Sequence, residues 1–68
     1  MNKRWYNVEL DSKVQINGYS DSDAFRKFLI ENGIKYETSA AGKMVHFEVL
    51  VDNCEMEKCD TFLGMFIN

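Results

Sequence analysis

The side chains in this chain best suited to covalent or metal chemistry near neutral pH are His46, Cys54 and Cys59, with Asp52 and Asp60 beside the cysteines. A nucleophilic Cys-His or Ser-His-Asp arrangement would have to use His46, the single histidine. Alternation along its segment puts His46 on the outward side of a strand. A structural zinc site wants four ligands, mostly Cys and His. These residues supply three, in a Cys-x4-Cys spacing that is not a usual half-site, and a carboxylate would have to be the fourth. If residues 54–66 are helical, the two thiols diverge by about 140° around the axis. Neither a shared metal nor a disulfide is then expected, and Cys59 reads as a core residue with Cys54 partly exposed.

The remaining chemistry-bearing types have structural explanations. Asp21 with Asp23, and Glu55 with Glu57, stand where helices begin, and acids there satisfy the positive end of the helix dipole. The glycines are isolated at positions 18, 33, 42 and 64, so no phosphate-cradling loop is present. The expectation is a protein that is not an enzyme, with no catalytic residue, metal ion or cofactor.

The elements that position these residues are legible from periodicity. Trp5–Leu10 alternates, with Tyr6, Val8 and Leu10 on one side and Trp5, Asn7 and Glu9 on the other, as in a half-buried strand. Asp11-Ser12 suits a turn, and Lys13–Tyr19 alternates again with Val14 and Ile16 inward, so the two segments predict a β-hairpin. Ser20 is an N-cap candidate, with acids at 21 and 23 in the first turn. Ala24, Phe25, Phe28 and Leu29 make an apolar helical stripe, and Gly33 suits the left-handed position after the last turn, with Ile34 following it. A helix of about twelve residues is marginal in isolation, so it must dock on a sheet.

Ile34, Tyr36 and Thr38 alternate with Lys35 and Glu37 as a third strand. After a small turn over 40–43 comes the strongest strand, Met44–Val51, with Val45, Phe47, Val49 and Val51 on one face and Met44, His46, Glu48 and Leu50 on the other. Asp52-Asn53 offers an N-cap. Cys54–Phe66 suits a second helix with Met56, Cys59, Leu63 and Phe66 near one face, or a short helix followed by a fifth strand. The expected fold class is α+β, in the order ββαββα: an antiparallel sheet of about four strands with two helices packed on one face, residues 1–68 forming a single small domain.

Composition narrows the function classes. Hydrophobic residues make up 46% of the 68, enough for one core. Net charge is −3, from eleven acids and eight bases, and no basic stripe is visible. Nucleic acid is therefore an unfavoured partner. Two cysteines do not make a secreted disulfide scaffold. Residues 1–4 lead into Trp5–Glu9 rather than an apolar stretch, and no apolar run reaches the roughly 18 residues of a membrane span. The expected location is the cytoplasm, of a host cell if the chain is phage-encoded.

If both helices cover one sheet face, the other is open, and parity places Trp5, Tyr19, Met44, His46 and Leu50 there. An open antiparallel face normally reads polar. A Trp, a Tyr, a Met and a Leu make this one a candidate interaction surface. The leading expectation is a small protein-interaction module, in size and style like the accessory proteins of phages and mobile elements that bind and inhibit a host protein. The partner would be such a host protein, a host enzyme for example, or a second copy in a homodimer. The alternatives are a nucleic-acid-binding domain, with Trp5 and Tyr19 stacking on bases and Lys3, Arg4, Lys13 and Lys35 on phosphates, and a metal-binding domain built on Cys54, Cys59 and His46.

Overall fold

The described residues form five elements in the order β1 (Arg4–Asp11), α1 (Asp21–Glu31), β2 (Lys35–Ala41), β3 (Met44–Val51) and α2 (Asn53–Ile67). The computed structural model describes residues 2–67. The class is α+β as expected, with an antiparallel sheet and two helices, but among the described residues the sheet has three strands, ordered β1-β3-β2. Both outer strands run antiparallel to β3, so β1 and β2 are parallel to each other. Antiparallel neighbours can be joined by a tight hairpin, whereas parallel strands need a crossover. The residues Gly42 and Lys43 supply the hairpin between β2 and β3, and α1 is the crossover from β1 to β2.

The strand expected over Lys13–Tyr19 is a loop, and the order is βαββα rather than ββαββα. Here Val14 and Ile16 are exposed. Local polar groups tie the loop down: Asp11 Oδ1 accepts from the Lys13 N–H and Asn17 Oδ1 from the Tyr19 N–H. The Gly18 N–H donates to the Gln15 carbonyl, and the Gln15 N–H to the Tyr19 carbonyl. Asp and Asn bonding the backbone two residues on is turn chemistry, and Gly18 supplies the positive φ of 87° that closes it. Packing explains the outcome. Tyr6, Val8 and Leu10 stand opposite Val49, Phe47 and Val45 of the most apolar strand, three apolar pairs where the local hairpin would have offered two partners.

Both helices begin where their N-caps dictate, and α1 ends at a C-cap. Ser20, with extended φ and ψ, accepts the Asp23 N–H on its Oγ at 3.1 Å. At the other end of α1 the Ile34 N–H donates to the Leu29 carbonyl and the Gly33 N–H to the Ile30 carbonyl. This is the Schellman arrangement, with Gly33 at φ +66° and Ile34 buried against the core. The α2 start is a reciprocal box: Asp52 Oδ1 accepts from the Glu55 N–H at 2.8 Å, and Glu55 Oε1 accepts from the Asp52 N–H at 3.0 Å. From there one helix runs through Gly64, without the alternative fifth strand. The Phe66 side chain, placed near its apolar face by the sequence, lies outside the described residues.

Both helices cover the same sheet face. Phe25 and Leu29 of α1 and Cys59 and Leu63 of α2 bury against Val8, Phe47, Val49 and Val51. Phe25 meets Phe47 edge-to-face with ring centroids 5.1 Å apart, and Phe28 stacks on Phe62 at 4.3 Å between the helices. Tyr6 bridges β1 to α2, its hydroxyl donating to Asp60 Oδ1 at 2.5 Å. No helix among the described residues is long and apolar enough to cross a membrane.

Candidate functional site

The uncovered face of the sheet is built from alternate residues of all three strands. The pairing register arranges them in four cross-strand rows: Trp5–Leu50–Lys35, Asn7–Glu48–Glu37, Glu9–His46–Ser39 and Asp11–Met44–Ala41. Side chains on one face of directly opposed residues lie about 4.5–5.5 Å apart at Cβ, so each row is a contiguous strip. Trp5 is 47% exposed and faces Leu50. His46 is half-buried in the third row and Met44 is exposed in the fourth. Leu50 and Met44 are six positions apart, about 20 Å along the strand. Trp5 with Leu50 is thus an apolar end, and Met44 belongs to the far end.

Tyr19 does not join them. It was expected on the outward side of a strand that does not form. It sits instead on the loop before α1, 57% exposed, in a depression on the helix side lined by Asn17, Ala24, Lys27, Phe28 and Phe62. The candidate surface is therefore Trp5, Leu50, His46 and Met44 without Tyr19.

Charge is what parity alone did not reveal. The twelve face positions carry four acids, Glu9, Asp11, Glu37 and Glu48, against one base, Lys35. Removing these from the chain's eleven acids and eight bases leaves seven of each, so the whole net charge of −3 resides on this face. Glu37 and Glu48 are directly opposed, a like-charge pairing that costs stability in a sheet. The ion pairs among the described residues lie elsewhere, Lys3 with Glu55 at 3.3 Å and Arg26 with Asp23 at 3.9 Å. Strand parity places Glu9 and Glu48 outward, whereas Asp11, expected in a turn, and Glu37 join the face through the register of β1 and β2 on β3. Their alignment needed the β1–β3–β2 order.

The cysteines and the histidine are not brought together. His46 faces outward from the sheet, whereas Cys54 is exposed on α2 and Cys59 is buried beneath the opposite face, both as free thiols. Among the described residues no group of three or more His, Cys, Asp and Glu side chains could hold a metal ion. Burial first, then the charges of Asp60 and Glu55, push the Cys59 thiol up to about 11, far from a reactive thiolate at neutral pH. The Tyr6 phenol is pushed up to about 12 by its hydrogen bond to Asp60, then by burial and the nearby charges. Both shifts have structural causes inside or at the rim of the core.

The chain matches no family model, no curated protein and no solved structure.

Proposed function

We propose that this chain is a non-enzymatic protein-interaction module that engages a basic protein surface through its open sheet face. The observation that carries this reading is the concentration of the entire net charge on that face, beside an exposed tryptophan. An exposed ion pair contributes only about 0.2–1 kcal/mol, so the acids supply steering and selectivity. Trp5 supplies the anchor. A buried aromatic hot spot contributes about 2 kcal/mol or more, roughly thirtyfold in affinity. A small acidic module of this kind suits the accessory role that its size suggests, occupying a basic surface of a host protein and thereby inhibiting it.

Charge weighs against the two other partners. Of the four bases that would contact phosphates, Lys35 alone stands on the face. Lys3 is paired with Glu55, Arg4 donates to Asn53 Oδ1 at 2.7 Å, and Lys13 lies in the loop with Tyr19 out of reach. A phosphate backbone would meet four acids. A second copy presenting the same face would meet its own charge.

Selection from a library of random short peptides tests the reading. Trp5 is the only tryptophan, so its emission reports occupancy of the face directly. The expected ligands are enriched in Lys and Arg and shift Trp5 emission to the blue. They lose about thirtyfold in affinity on Trp5→Ala, and bind more weakly to Glu48→Gln and in high salt. Ligands that are neutral or acidic, or that leave Trp5 emission unmoved, would overturn it.

A further inference from the structure

β1 is an edge strand, and the phase of its ladder decides which of its backbone groups are free. The Ser12 N–H donates to the Lys43 carbonyl at 2.9 Å, one step beyond the Asp11–Met44 pair, so Ser12 and Lys43 form a hydrogen-bonded pair. In an antiparallel ladder such pairs alternate with non-hydrogen-bonded ones. Leu10, Val8, Tyr6 and Arg4 therefore turn their N–H and C=O groups toward β3. Trp5, Asn7, Glu9 and Asp11 turn theirs to the outer edge, where no strand of the described residues pairs with them. These four are the same residues whose side chains stand on the open face.

We propose that the outer edge of β1 takes an extended, lysine- or arginine-bearing segment of a partner protein as a fourth strand, bonded to the backbone of Trp5, Asn7, Glu9 and Asp11. This rests on the protein-interaction reading above and names its mode: main-chain bonds supply affinity and alternate side chains supply specificity. The side chains of the added strand on the open face stand beside those of β1. An apolar one packs on Trp5, and basic ones lie against Glu9 and Asp11. The phase of β3 assigns the other edge as well. On β2 the outward backbone belongs to Tyr36, Thr38 and Ala40, and the open-face charges there, Lys35 and Glu37, offset each other. Charge thus favours the β1 edge for a basic strand. A second copy would bring another face of net −3 alongside, so the same acids discourage edge-to-edge pairing of the protein with itself.

The test uses the full chain labelled with nitrogen-15 and two synthetic peptides. One alternates lysine with threonine and ends in leucine. Its twin is N-methylated at the amides that would bond the edge, with charge and side chains unchanged. With the first peptide, amide hydrogen exchange at Trp5, Asn7, Glu9 and Asp11 is expected to slow about tenfold or more, while Tyr36, Thr38 and Ala40 keep their rates. The twin is expected to bind about tenfold or more weakly, since a missing donor leaves its partner unpaired. Equal binding by both peptides with a shift in Trp5 emission, or protection at Tyr36, Thr38 and Ala40 instead, overturns strand addition at β1 and leaves the open-face reading standing. No shift of Trp5 emission and no amide change with either peptide overturns both.

Discussion

Replacing Tyr6 with Phe removes one oxygen and tests the tie between β1 and α2. The phenol donates to Asp60 Oδ1 at 2.5 Å, and its ionisation is pushed up from 10.0 to about 12. A shift of that size corresponds to a ceiling of about 2.7 kcal/mol. Tyr6 is only half-buried and Asp60 is exposed, so solvent screens the interaction and the carboxylate rehydrates when its donor is lost. The expected cost of Tyr6→Phe near neutral pH is therefore about 1–2 kcal/mol. The pH dependence follows from the direction of the shift. A raised folded-state value means the protonated phenol is the form stabilised by folding. Its contribution is complete below pH 10 and is lost as pH rises from 10 through about 12. The stability difference between the wild type and Tyr6→Phe should accordingly shrink toward zero across that window. Urea unfolding followed by far-ultraviolet circular dichroism at several pH values measures it. A difference that stays constant from pH 8 to 12, or no difference at pH 8, would refute the reasoning.

Two further predictions follow from burial. Phe25 is wholly buried and meets Phe47 edge-to-face, so Phe25→Ala should cost about 3–5 kcal/mol. That is comparable to the total stability of so small a domain, and a preserved cooperative thermal transition within a few degrees of wild type would count against this core. Of the two free thiols, Cys54 is exposed while Cys59 is buried and pushed up to about 11. A thiol-disulfide reagent at pH 8 should label Cys54 at once and Cys59 only on unfolding, and rapid labelling of both would contradict the placement of Cys59.

Much of the fold was legible because its determinants are local. Ser20, Asp23, Gly33 and Ile34 satisfy the ends of α1 with groups a few residues away. The alternation in β1 and β3 needs no knowledge of partners. The exception is instructive. Lys13–Tyr19 alternates as convincingly as β1 over a short window, yet Asp11, Asn17 and Gly18 close it into a loop. Two apolar residues at alternate positions are compatible with either outcome, and which one forms depends on whether a neighbouring strand has apolar area to offer. Val45, Phe47 and Val49, more than thirty residues beyond β1, offer more. Misplacing that strand also misplaced Tyr19.

The sequence by itself determined the α+β class, the N-caps of both helices and the C-cap of α1, and the face on which Trp5, Met44, His46 and Leu50 stand, because side-chain direction alternates along a strand whatever lies beside it. It also placed Glu9 and Glu48 on that face, though not Asp11, which read as a turn residue. What only the tertiary structure decided was strand order and register, which are set by long-range packing of apolar faces rather than by neighbours in the chain. The β1-β3-β2 order brings Glu9, Asp11, Glu37 and Glu48 onto one surface beside Trp5 and leaves the outer edge of β1 without a paired strand among the described residues. A net charge of −3 spread through the sequence thereby becomes a property of one face.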